Sequence, residues 1–507
     1  MFKKLWLAAA LAVAGLAWMA SAQGPAQKVI DDALRAMGAA NVKTLVLYGE
    51  GGDGFVGQQR NPTGDYWRWY HNVYVVRSYD FEAQGFRTKR TRWEGANPPG
   101  GGAGTTTPAP IQNQDLVAMA AGNFNNQIEM AMTPIGFLHM ARANNATVST
   151  KTEKGKRWTV LSYPITGGQG KQTYPTSVQG YIDNQNRVQR VEVLVNQDFL
   201  GDVKWEATFS DWKDFEGVKF PTKIVQRLWD PKIFELTVHN LKTNVPVDLA
   251  PPAAKGAPGG GAGAAKGGAG AAKGGGAPAA ALPSSEDLGN GAWLYVNPYT
   301  SIIVEFKDYV MIVEMSQNDA YAEGLLAETR RLVPNKPVRY VISSHFHFDH
   351  TGGLRAAVAE GITIVTHERN KGLFERVMAQ PHTLVPDKLE RMNPRPKVKV
   401  EYVGEKHVFT DGAQIVETHA LRGSTHSEGM LIVYLPRQKV LYNADEFNVN
   451  AQAPTAPVPN PNGYQVNLLF EVERLGLQVD RHIPAHLPNG NRKVTHQELI
   501  YMAGREQ

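Results

Sequence analysis

Between Pro251 and Pro283 the chain is almost entirely Gly, Ala and Pro with scattered Lys, including two copies of Gly-Ala-Ala-Lys-Gly-Gly. Such a stretch has almost no side chains with which to build a core, and its glycines make ordering it costly. The 507 residues are therefore expected to divide there: a first domain over 23–250, a linker over 251–287 and a second domain over 288–507. A linker of this composition makes independent motion of the two domains the default.

Ahead of the first domain, residues 1–22 have the pattern of a secretory signal. Met1-Phe2-Lys3-Lys4 is basic, Leu5 to Met19 is apolar, and Ala20-Ser21-Ala22 precedes Gln23 as an A-x-A-like cleavage site. The expectation is an exported protein, periplasmic or secreted. With zero cysteines, neither disulfides nor thiolate ligands are available, and every cysteine-nucleophile mechanism is excluded. Lys+Arg of 53 against Asp+Glu of 48 gives a formal charge of +5. Two of those cations, Lys3 and Lys4, lie in the signal, and Lys255, Lys266 and Lys273 lie in the linker. The remainder is close to neutral, so charge gives no argument for a nucleic-acid partner.

Pro25 to Met37 has helical spacing and stops at Gly38, and a second helix is expected around Ile128 to Ala143, broken or started by Pro134. Between and after them the first domain reads as strands. Tyr66 to Tyr79 and Phe86 to Trp93 alternate, Asn97 to Pro110 is a Gly/Pro/Thr-rich loop, and Val148 to Val247 is a run of hairpins punctuated by Lys154-Gly155 and Glu216-Gly217. Strands in succession without helices predict a mostly antiparallel β domain. Gly180 to Val225 is similar in pattern to the lipoprotein-carrier type of β half-barrel. That leaves room for an apolar ligand, although a self-filled sheet is the plainer reading.

The second domain alternates strands and helices, which predicts an α/β fold. Here the apolar strand Val338 to Ser343 runs into Ser344-His345-Phe346-His347-Phe348-Asp349-His350-Thr351-Gly352-Gly353. Residues two apart in an extended chain point the same way, so His345 and His347 can share one ion. Asp349 and His350, beyond the turn, can face another. Neutral imidazole and carboxylate suit zinc above other metals, with iron or manganese also acceptable. Eleven of the fourteen histidines lie after Ser344, which locates the chemistry in this domain.

His345-x-His347-x-Asp349-His350 resembles the signature of the metallo-β-lactamase superfamily. The resemblance covers about the last 220 residues and implies a four-layer αβ/βα sandwich. It extends to Ser424-Thr425-His426-Ser427, to Asp445 at the end of Val440 to Ala444, and to Pro484-Ala485-His486, with His482 the competitor for the last position. Carried over, it implies that His345, His347 and His426 hold one metal, that Asp349, His350 and His486 hold a second, and that Asp445 bridges them. Two zinc ions are the expected cofactors.

A pair of such cations lowers the pKa of a shared water towards about 7, and Asp349 can orient it or collect its proton. The expected activity is hydrolysis of an ester, thioester, lactone or β-lactam carbonyl in a small-molecule substrate. A bridging Asp445 resembles the thioester, lactone and phosphodiester hydrolases of the superfamily. The tyrosine that its lactonases carry just after that aspartate is replaced by Glu446, Phe447 and Asn448. Asn448, Asn450, Pro454 to Pro461 and Leu373 to Met392 are expected as substrate walls. The alternatives are an iron-dependent oxidoreductase of the same fold, or an envelope lipid- or ligand-binding protein with a structural metal site. Oligomeric state is left open by the sequence.

Overall fold

The computed structural model describes residues 24–62, 68–94, 111–169, 172–252, 283–447, 449, 451–488 and 491–507. The expected signal, most of the linker, the Asn97 to Pro110 loop, and Asn448 and Asn450 lie outside them.

Helix α1 (24–36) buries Ala26, Ile30, Ala33 and Leu34 at helical spacing and ends before Gly38, whose φ of +69° suits glycine. Where one helix was expected there are two, α2 (Phe124–Ala131) and α3 (Pro134–Ala143). Pro134 starts α3, where its missing N–H costs nothing, and the Thr133 hydroxyl caps it by accepting from Gly136 N–H at 3.1 Å.

Eleven strands form one antiparallel meander: β1 (Thr44–Phe55), β2 (Arg68–Asp80), β3 (Gly85–Glu94), β4 (Gln112–Met119), β5 (Thr147–Glu153), β6 (Lys156–Gln169), β7 (Gln172–Ile182), β8 (Val188–Gln197), β9 (Gly201–Phe215), β10 (Val218–Leu228) and β11 (Lys232–Thr243). Their order is β4-β3-β2-β1-β11-β10-β9-β8-β7-β6-β5. Along β8, Val191, Val193 and Val195 point inward while Arg190 and Glu192 face out, the period of two that a one-sided sheet requires. The inward face shares its core with α1 to α3. A Cβ on Gly180 would stand 2.1 Å from the Phe137 ring, so α3 lies directly on the sheet.

The C-terminal domain holds two further sheets. The first runs β12 (Ser284–Gly289), β13 (Ala292–Asn297), β14 (Tyr299–Glu305), β15 (Val310–Val313), β16 (Val338–Ile342), β17 (Thr363–His367) and β18 (Val400–Val403), parallel from β15 onward. The second runs β19 (Lys406–Thr410), β20 (Ile415–Ala420), β21 (Leu431–Leu435), β22 (Val440–Ala444), β23 (Arg481–Pro484) and β24 (Val494–Thr495). Within β14, Ile302 and Val304 belong to the core shared with the second sheet, whereas Ile303 belongs to the core under α4 (Asp319–Leu332) and α6 (Leu354–Ala359). Both faces of that sheet are thus covered, and α8 (Gly463–Leu475) and α9 (His496–Met502) pack with the second sheet's core. This is the layered α/β arrangement expected. After β17 come a 3-10 turn (Glu368–Asn370) and a short α7 (Leu373–Met378), with Gly372 at φ +83° between them.

Independent motion of the two halves is not what the structure shows. One continuous core takes in residues of both, from Ala26 to Leu389. In an antiparallel meander alternate hairpins open at the same end, so the β1–β2, β8–β9 and β10–β11 connections all lie together. All three touch the C-terminal domain. The Asp202 carboxylate accepts from Thr383 N–H and Oγ1–H, each at 2.6 Å, and the Arg376 guanidinium sits 4.2 Å from the Trp229 ring centre. Phe199 packs on Phe348 at 4.9 Å and on Phe374 at 6.2 Å. Part of Leu373 to Met392, expected as a substrate wall, is therefore the seat of the N-terminal sheet. Pro454 to Pro461 leans on α9, with Val458 N–H donating to the Tyr501 carbonyl at 2.9 Å.

Candidate metal centre

The site forms where strands end. His345 follows β16 within three residues, and His347 precedes the single turn α5 (Phe348–Thr351), which carries Asp349 and His350. His426 sits in the loop before β21, Asp445 directly follows β22, and His486 follows β23. Backbone bonds tie these ends together: Leu431 N–H donates to the Ser344 carbonyl at 2.8 Å, and Thr300 N–H to the Ala485 carbonyl at 3.1 Å.

All seven expected residues converge, in two groups whose donor atoms lie within 4.8 Å of one another. In the first, His345 Nε2 is 3.0 Å from His347 Nδ1 and 3.1 Å from His426 Nε2. In the second, His350 Nε2 lies 3.2 Å from Asp445 Oδ2 and 3.5 Å from Asp349 Oδ2, and His486 Nε2 lies 3.5 Å from Asp445 Oδ1. Asp445 Oδ2 is also 3.5 Å from His426 Nε2, so this carboxylate stands between the groups.

Burial and charge prepare the two groups differently. His345, His347, His350 and His426 are fully buried, whereas the side chains of Asp349 and His486 are 31% and 44% exposed. The site therefore opens to solvent on the Asp349–His486 side. Desolvation, reinforced by neighbouring imidazoles, holds His345 and His347 well below the ordinary histidine pKa, so both present neutral rings. Burial also disfavours a charged His350, but Asp445 and Asp349 outweigh it and push the ring up to about 10. Asp445 is the counterpart: burial alone would raise it, and His350 and His486 hold it well below the usual carboxylate range. Three converging imidazoles beside a set of carboxylates and two further imidazoles is a donor set that fits divalent cations such as zinc.

Further groups complete the site, and of them sequence reasoning had named only Glu446, without a role. Tyr299, at the start of β14, donates its hydroxyl to Asp349 Oδ2 at 3.1 Å and lies edge-on to the His486 ring at 4.4 Å. Burial, together with the Asp349 and Asp445 carboxylates, raises its pKa far above the ordinary value, so it remains a donor. Gln58 Nε2–H donates to Asp349 Oδ1 at 2.8 Å, and His347 Nε2–H donates to the Gln59 carbonyl at 2.8 Å. Beneath His350, the buried Glu314 has its Oε1 3.8 Å from Nδ1 and accepts from Ser344 N–H at 3.3 Å; burial raises it to about 7. Glu446, also buried, accepts from the Ser424 hydroxyl, which in turn accepts from His426 N–H at 3.2 Å. No local spacing marks these residues. By contrast His482, the competitor for His486, stacks with His496 at 5.4 Å, and His419 is occupied by Glu417.

The profile of the metallo-beta-lactamase superfamily matches residues 294–486. The C-terminal domain belongs to that superfamily. Among solved structures, the chain is similar to the metallo-beta-lactamase from Pontibacter korlensis, with 18% identity over 44% of this chain and 97% of that one and a TM-score of 0.32. It is similar as well to a metallo beta lactamase from Hirschia baltica, with 19% identity over 44% and 96% and a TM-score of 0.31. For the DIM-1 metallo-beta-lactamase the figures are 15%, 44% and 95%, with a TM-score of 0.33. No curated protein matches the chain significantly.

Proposed function

We propose that the chain is a hydrolase dependent on two divalent cations, zinc by preference, that cleaves an ester, thioester, lactone or β-lactam carbonyl in a small molecule. The observation that carries this reading is the place of Asp445, one carboxylate within 3.5 Å of imidazoles from both donor groups. His345, His347 and His426 would hold one ion, Asp349, His350 and His486 the other, with Asp445 shared. When bound, such a pair supplies an activated water and neutralises charge developing on the substrate.

The remaining work falls to the chain itself. Asp349 has both oxygens engaged, Oδ1 by Gln58 and Oδ2 by Tyr299, so its carboxylate is held in one orientation at the open edge of the site. There it can accept a proton from an incoming water and return it to a leaving group. Burial of the four inner imidazoles keeps bulk water from competing for them, and substrate must enter past Asp349 and His486. Tyr299→Phe frees Asp349 Oδ2 without removing a candidate ligand. Its expected effect is a fall of about 10- to 100-fold in kcat with metal content unchanged; an unaltered kcat would remove Tyr299 from the site.

The decisive experiment measures initial rates of the zinc-loaded protein on a lactone, an aryl ester, a thioester, a chromogenic β-lactam and a phosphodiester, each with and without chelator. Turnover of one carbonyl class, lost with chelator and restored by zinc, is the expected result. Turnover that survives complete metal removal, or activity confined to the phosphodiester, would overturn the reading.

A further inference from the structure

Four consecutive residues of the β1–β2 connection, 57–60, each make a hydrogen bond to the segments that carry the candidate ligands. Phe348 N–H donates to the Gly57 carbonyl at 3.3 Å, and Gln58 Nε2–H to Asp349 Oδ1 at 2.8 Å. His347 Nε2–H donates to the Gln59 carbonyl at 2.8 Å, and Glu428 N–H, two residues after His426, to the Arg60 carbonyl at 2.8 Å. Gly57 and Gln59 are buried by this contact. We infer that this loop of the N-terminal sheet is a built-in part of the metal centre, the element that positions His347 and Asp349. The inference rests on the metal-dependent reading of the site and extends it to the other half of the chain.

The chemistry at Gln59 is directional. A carbonyl oxygen only accepts, so the contact requires the proton on Nε2 of His347. In the neutral ring that leaves Nδ1 as the lone pair, and Nδ1 is the atom that faces His345 Nε2 at 3.0 Å. A hydrogen bond of this type fixes both the tautomer and the orientation of a metal-binding imidazole, and it raises the basicity of the ligating nitrogen. Gln58 does the corresponding service for the second group by holding one oxygen of Asp349.

Residues 57–60 are themselves held by close packing. Gly57 has φ +78°, and a Cβ there would lie 2.4 Å from the Phe348 ring, so nothing larger than glycine fits between the loop and α5. The two hairpins at the same end of the sheet are anchored through Asp202 and Trp229 to segment 376–384. The register of the loop against the ligands is thus set by the packing of the two halves, and the N-terminal sheet serves as scaffold for the centre.

The test uses the full chain and reads zinc affinity at each site by chelator competition, together with the visible spectrum of the cobalt-substituted protein. Gly57→Val drives the loop away from His347 without touching a candidate ligand. Gly155→Val is its control: the same φ of +78°, but nothing within 4 Å of the added Cβ. Gln58→Leu keeps the bulk of a half-buried side chain and removes its amide, so it decides the matter even if Gly57→Val folds poorly. Gln58→Leu is expected to weaken one zinc by about 10-fold. Gly57→Val is expected to weaken zinc binding by about 10- to 100-fold with an altered cobalt spectrum, while Gly155→Val matches the parent. Parent-like affinities and spectra in both loop variants, with the parent binding two zinc ions, would overturn this inference alone. A parent chain that binds no zinc would overturn it together with the hydrolase reading.

Discussion

Asp445→Ala should abolish turnover while leaving the fold in place. Asp445 is 6% exposed and, among the described residues, is the one carboxylate that approaches both donor groups, with His350, His426 and His486 nitrogens at 3.2, 3.5 and 3.5 Å. Its negative charge keeps the His350 ring protonated in the metal-free chain. Alanine removes that charge, and the rings can answer by becoming neutral, so the folded state loses little. In the loaded protein no such escape exists, because two cations held side by side repel unless an anion lies between them. The expected result is a fall of at least about 10³-fold in kcat/KM, or about 4 kcal/mol. Zinc content should drop from two to one, with far-UV circular dichroism unchanged. A rate within about tenfold of the parent would sink the two-cation reading, since each tenfold is only about 1.4 kcal/mol.

Arg355→Ala is expected to cost more stability than any other side-chain truncation considered for this chain, about 3–5 kcal/mol. Arg355 lies on α6, five residues after His350, and is 1% exposed. Its guanidinium pairs with the Asp387 carboxylate and donates to the Met378 carbonyl at 3.0 Å and the Gln380 carbonyl at 3.3 Å. Burial opposes the charge on Asp387, and Arg355 holds the carboxyl below its ordinary pKa. Truncation therefore strands a largely buried carboxylate and two carbonyls. It also loosens segment 376–384, on which the N-terminal sheet rests through Asp202 and Trp229. The urea midpoint measures the loss. Arg355→Met combined with Asp387→Leu should recover most of it, because replacing both members of a buried pair by apolar groups is often neutral. A double variant as unstable as Arg355→Ala would show that packing, not the stranded charge, sets the cost.

Local pattern carried much of this protein. The turn residues between Val148 and Val247 marked a run of antiparallel strands, and Pro134 marked the start of α3. His345, His347, Asp349 and His350 were legible together because they are neighbours in the chain, and the period of an extended segment already says which of them point alike. His426, Asp445 and His486 needed a family resemblance, since each alone is an ordinary strand-end residue. Packing separates His486 from His482: His482 is fully buried against His496 and Asn443, and His486 stands at the open edge.

What only the tertiary structure decided is how the two halves meet. Gln59 reaches His347 across 288 residues of chain, and Gln58 reaches Asp349 across 291. Tyr299 and Glu314 arrive at the centre from β14 and the end of β15 in the same way. Helices and strands are written in the sequence because their contacts recur every few residues. A backbone carbonyl has no side chain to announce it, and a glutamine in a loop looks like any solvated residue. Their roles exist only once an eleven-stranded meander and a two-sheet sandwich have packed end to end and brought one hairpin onto the histidine loop.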